Sequence, residues 1–82
     1  MLDKMIRYFD REVAKLERDI EGGRLTPQEL LNNATTRCIG VASFCLANDV
    51  PLVEVLRAYD DTMVQMLKIF NMASASKKNR RG

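Results

Sequence analysis

The stretch NNATTRCIGVASFCLA, residues 32–47, constrains this chain more than any other. Its sixteen residues carry one charge, Arg37, in a chain that is 29% charged. Wound at about 100° per residue, Leu30, Leu31, Ala34, Cys38, Ile39, Val41, Ala42, Phe44, Cys45 and Leu46 cover roughly 220° of a helix. The remainder, Asn32, Asn33, Thr36, Gly40, Ser43 and Ala47, is small and uncharged. A surface helix normally sets a narrower apolar stripe against a charged face. This helix expects protein on most sides.

Punctuation divides the chain into three helices. Leu2, Ile6, Phe9, Val13, Leu16 and Ile20 alternate spacings of four and three, the seam of a helix near residues 2–21. Gly22-Gly23 stops it. Thr26 then caps, Pro27 opens and Glu29 completes a capping box for a second helix, near 27–48. Asn48-Asp49-Val50-Pro51 breaks the chain again, with Asn48 or Asp49 as cap and Pro51 in the first turn of a third helix, near 51–72. Connections this short make consecutive helices antiparallel neighbours. The fold expected is an all-α, three-helix antiparallel bundle over residues 1–73. Residues 74–82 form a basic tail with nothing to bury, expected to be disordered.

Arc widths rank the helices: the first peripheral, the third intermediate, the second central. In a bundle of three, each helix should keep a polar third, and the second keeps no charged one. The expectation is a homodimer through the second helix, with Cys38, Ile39, Gly40, Ala42, Ser43, Phe44 and Leu46 at its interface. A domain of 82 residues hides only about 60–65% of its unfolded surface, so a second copy supplies burial that one copy lacks.

Chemistry-bearing signals are sparse. Histidine is absent, which removes the commonest general base and metal ligand. Cys38 and Cys45 sit about 10.5 Å apart along one helix, beyond disulfide reach, and read as small buried hydrophobes. No catalytic, cofactor or metal residue is assigned, and no segment is long and apolar enough to span a membrane. Without a signal peptide or a disulfide framework, a cytoplasmic location is expected. Lys77, Lys78, Arg80 and Arg81 hold four of thirteen cations and none of eleven acids, leaving the rest at a net −2. They are candidates for a salt-sensitive contact with nucleic acid. Arg7, Arg11 and Arg18 of the first helix add a row that Asp3, Asp10, Glu17 and Asp19 interrupt in sequence.

The stretch Leu46–Met63, LANDVPLVEVLRAYDDTM, resembles the helix–loop–helix of MazG-type nucleotide pyrophosphohydrolases through Leu46, Ala47, Val50, Glu54, Leu56 and Arg57. That resemblance implies an all-α helical dimer using Mg²⁺ held by E-x-x-E and E-x-x-D motifs. The E-x-x-D positions fall on Asn33 and Thr36, and the first helix has no E-x-x-E, so the resemblance implies at most a relative without the metal-binding acids. The glutamates and aspartates Glu17, Asp19, Glu21, Asp60 and Asp61 are the remaining acidic cluster. The function expected is a small, non-enzymatic interaction or regulatory protein acting on another macromolecule as a homodimer, with nucleic-acid binding through the tail as the alternative.

Overall fold

The computed structural model describes the backbone of residues 1–81 and the side chains of residues 1–75. Three helices make up the described chain: α1 (Leu2–Gly22), α2 (Pro27–Ala47) and α3 (Leu52–Arg81). No strand occurs among the described residues.

The helix ends follow local chemistry. Gly23 stands in the left-handed region at φ 70° and donates its N–H back to the Asp19 and Ile20 carbonyls. Thr26 is extended and its hydroxyl accepts the Glu29 N–H at 3.2 Å, with Pro27 in the first turn. The second break works differently from the reading above. Asn48 and Asp49 close α2 and do not open α3. Val50 N–H reaches the Cys45 carbonyl and Asp49 N–H the Leu46 carbonyl, while the Asn48 side chain donates to the Phe44 carbonyl at 2.8 Å. This pair of bonds is a Schellman ending, which requires a left-handed residue, and Asp49 takes φ 67° to supply it. Pro51 stands just outside α3, its carbonyl accepting from Val55.

The third helix runs nine residues past the stop expected at Met72. No glycine or proline occurs between Pro51 and Gly82, and Ala73, Ala75, Lys77, Lys78, Arg80 and Arg81 are good helix formers, so nothing local ends it. The side chains of 76–82, including the four tail cations, lie outside the described residues.

All three helices pack on one another. Met5, Phe9 and Leu16 of α1 supply the largest buried side chains, and Val55 and Met66 come from α3. From α2 come Leu30, Ala34, Cys38, Ala42 and Cys45. The Phe9 and Tyr59 rings meet edge to face, 6.3 Å apart. The ranking of helices therefore changes. α1 is no peripheral strut: it supplies the core's largest side chains and touches both neighbours. α2 contributes mostly small groups that let the other helices close on it.

The left-handed Asp49 gives a first test. Asp49→Gly removes the Cβ penalty at that position and should stabilise the fold by about 0.5–1 kcal/mol in urea titration. Asp49→Val should destabilise it by at least as much.

Candidate functional site

The inner face of α2 is set by the seam from Leu30 to Cys45. Opposite it, an arc of about 160° runs from Leu46 through Ile39, Asn32, Ser43, Thr36, Ala47, Gly40 and Asn33 to Phe44. All nine are exposed and none is charged. Ile39 is 52% and Phe44 60% exposed, unusual for side chains of that size. Along its middle, Thr36, Gly40, Ser43 and Ala47 repeat at spacings of four, three and four, a line of small side chains between larger ones.

The structure separates the seven residues expected at a dimer contact. Cys38 (0% exposed) and Ala42 (9%) belong to the intrachain core and have no surface to offer a partner. Ile39, Gly40, Ser43, Phe44 and Leu46 lie on the outer arc. Leu46 and Ile39 form the rim on the α3 side. Across the α2–α3 groove, α3 continues that rim with Leu52, Leu56 and Leu67, each about half exposed. Helix geometry fixes the placement: Glu54, Arg57, Asp61 and Gln65 share a cleft with Ile6, Phe9 and Asp10 of α1, so the opposite flank of α3 is the one beside α2. These five aliphatics expose on the order of 500 Å², near the top of the range for a typical monomer's largest patch.

Sequence reasoning missed Glu12. It lies on the core face of α1, 7% exposed, and its Oε1 accepts from Nε of Arg37 at 2.8 Å, with Nη2 in ion-pair contact with the same oxygen at 2.8 Å. This pair turns the Arg37 side of α2 toward α1. The Arg37 side chain keeps 41% of its surface in solvent. Glu12 shapes the neighbouring equilibria. Its hydrogen bond holds the Arg37 guanidinium above its ordinary value. Burial first, and the Glu12 charge second, push the Cys38 thiol up to about 11 and raise Tyr8 as well. Both cysteines are free and buried.

Among the described residues, no three of the Asp, Glu, Cys or His type gather within reach of one metal ion. Asn33 and Thr36, the positions that the pyrophosphohydrolase resemblance aligns with metal-binding acids, are exposed on the outer arc. No helix of the described residues is long and apolar enough to cross a membrane. No family model matches the chain, and neither a curated protein nor a solved structure does.

Two measurements check this chemistry. Arg37→Ala leaves a buried carboxylate without its donor and should cost about 2 kcal/mol, whereas joining it to Glu12→Met should recover most of that loss. Additive losses in the double variant would contradict the pairing. The raised Cys38 thiol keeps its proton in the folded chain after the unfolded chain has released it. Stability should therefore fall as pH rises from about 9 to about 11. Cys38→Ala should flatten the urea-midpoint profile over that window.

Proposed function

We propose that this protein is a non-catalytic interaction module that works as a homodimer, the outer arc of α2 packing against the same arc of a second copy. The observation that carries the reading is the charge-free outer arc of α2, with Ile39 and Phe44 more than half exposed on it. A two-fold contact sets a patch against its own copy, so a charge near the axis meets its own kind and a charge elsewhere needs an opposite charge on the same patch. Here there is none to repel. The available area suits the task. A helix of 21 residues is about 31 Å long, and with its α3 rim it offers on the order of 700 Å² per copy, in the range of a standard interface.

Gly40 adds an independent argument. A Cβ built on Gly40 meets nothing within 4 Å, so no neighbour in its own chain needs the glycine. A mid-helix glycine destabilises by about 0.5–1 kcal/mol relative to alanine. Close approach of a second backbone gives that cost a purpose. The paired helices then form the rigid body that engages a further macromolecule.

The two effects of one methyl group separate the alternatives. Gly40→Ala should stabilise the monomer by about 0.5–1 kcal/mol at low concentration, yet weaken self-association in sedimentation equilibrium. Ser43→Glu should yield a monomer that stays folded, because Ser43 lies outside the intrachain core. A wild-type chain that sediments as a monomer at high micromolar concentration would sink the proposal.

A further inference from the structure

Seven of the thirteen cations fall on α1, its following turn and the adjoining side of α2. Five of them, Lys4, Arg7, Arg11, Lys15 and Arg18, step along α1 by three or four residues. On the helix they occupy an arc of only about 80°, pointing away from the core, and every one is exposed. Of the acids that interrupt this row in sequence, all but Asp19 stand clear of it in space. Asp3, Asp10, Glu17 and Glu21 lie together on the flank toward α3, where Asp10 shares a cleft with Glu54 and Asp61. Asp19 lies on the other flank, paired with Lys15 at 2.5 Å.

The row is about 21 Å long, from Lys4 to Arg18, and its one ion pair among the described residues is that of Lys15 with Asp19, which leaves Lys4, Arg7, Arg11 and Arg18 to face solvent. At its end it opens into a cleft of about 480 Å³ between α1 and α2, where Arg24 and Arg37 join Lys15 and Arg18 around a single acid, Asp19. Arg37 is committed to Glu12, so it lends charge without a free hand. The molecule is thus polarised across α1, basic on the outer side and acidic on the α3 side. Such a field turns an approaching polyanion onto the row and away from the flank.

We propose that the α1 row, completed by Arg24, docks the phosphate backbone of double-stranded nucleic acid without reading its sequence. The duplex carries one charge per about 1.7 Å of its axis, so a straight row of this length meets several phosphates at once. Single strands are a poorer fit because they are held by aromatic stacking, and the row contains no aromatic residue. Arginine can read guanine edges, but five cations strung along one straight row match the regular spacing of phosphates, a sequence-independent attraction. This surface is separate from the outer arc of α2, and its test does not depend on that arc.

The experiment titrates the full-length protein into a labelled duplex of about 20 base pairs across a salt series. Each phosphate contact contributes about 0.9 to the slope of log affinity against log salt, so four or five contacts give a slope near −4. The triple variant Arg7→Gln, Arg11→Gln, Arg18→Gln should lose roughly 30-fold in affinity at about 50 mM salt and shed between two and three units of slope. Its thermal melt should match wild type, since all three side chains are exposed. Arg57→Gln with Lys68→Gln on α3, and neutralisation of Lys77, Lys78, Arg80 and Arg81, should each leave the row's share of the slope in place. Wild-type affinity in the triple variant overturns the proposal, as does loss of binding when only the tail is neutralised. Binding to phosphatidylserine vesicles without binding to the duplex overturns it in favour of a membrane surface.

Discussion

Hydrophobicity alone leaves the roll of α2 in this bundle loosely defined, and the bond between Glu12 and Arg37 favours the roll observed. The apolar and small residues of α2 span so much of its circumference that several rotations would each bury a respectable face. Only Arg37 breaks that near-symmetry, and Glu12 is its counterpart on the core side of α1. With the guanidinium held at 2.8 Å, Arg37 must face α1, and the seam of Leu30, Ala34, Cys38 and Cys45 then turns inward. An ion pair with one member buried is a poor source of net stability, because desolvation of the carboxylate offsets much of the attraction. Its value here lies in making the wrong rotations expensive. A rolled α2 would leave a carboxylate buried against apolar side chains with no donor.

The choice of roll decides what the surface offers. It places the small groups of α2 inside, where they let α1 and α3 approach closely, and leaves Ile39, Phe44 and Leu46 outside. A helix free to choose by hydrophobicity would have buried those three first. The same pair draws α1 against α2 along its Tyr8–Glu12 side, which points Lys4, Arg7, Arg11 and Arg18 to solvent. One interaction thus favours both the uncharged arc and, together with the buried Met5, Phe9 and Leu16, the outward basic row.

Much of the fold was legible because caps and breaks are local. Gly23, Thr26 and Pro27 do what their backbone chemistry requires whatever surrounds them, and the four-residue connections leave little freedom in the direction of the next helix. The closing of α2 by Asn48 and Asp49 was misread because both residues suit either end of a helix; the hydrogen bonds of Asp49 and Val50 settle which. The roll of α2 was not legible from arc width, which counts apolar positions without saying which of them a neighbour takes. Glu12 carried the missing signal. It stands three residues after Phe9 and four before Leu16, on the line of the core, while α2 carries a single charge in its middle. Pairing the odd acid with the odd base would have fixed the rotation and shown that Cys38 and Ala42 belong inside. The dispersed acids of α1 likewise look like an interruption only until the helix is wound.

The two proposed surfaces are geometrically linked even though each is tested alone. Arg37 and Phe44 share the flank of α2 that borders α1. If two copies pack α2 against an antiparallel α2, the two-fold axis runs perpendicular to the helices and returns each flank to the same side of the pair. Both α1 helices then lie on one side, and their basic rows run antiparallel across a single surface. A duplex long enough to touch both rows engages the second as an intramolecular event, at an effective concentration fixed by the dimer. By linkage, whatever binds the paired rows more tightly than a single row must also favour association. A parallel arrangement of the two α2 helices puts the rows on opposite sides and forbids this coupling for a straight duplex. The direction of the α2 pairing therefore determines whether association and polyanion binding reinforce one another or remain independent.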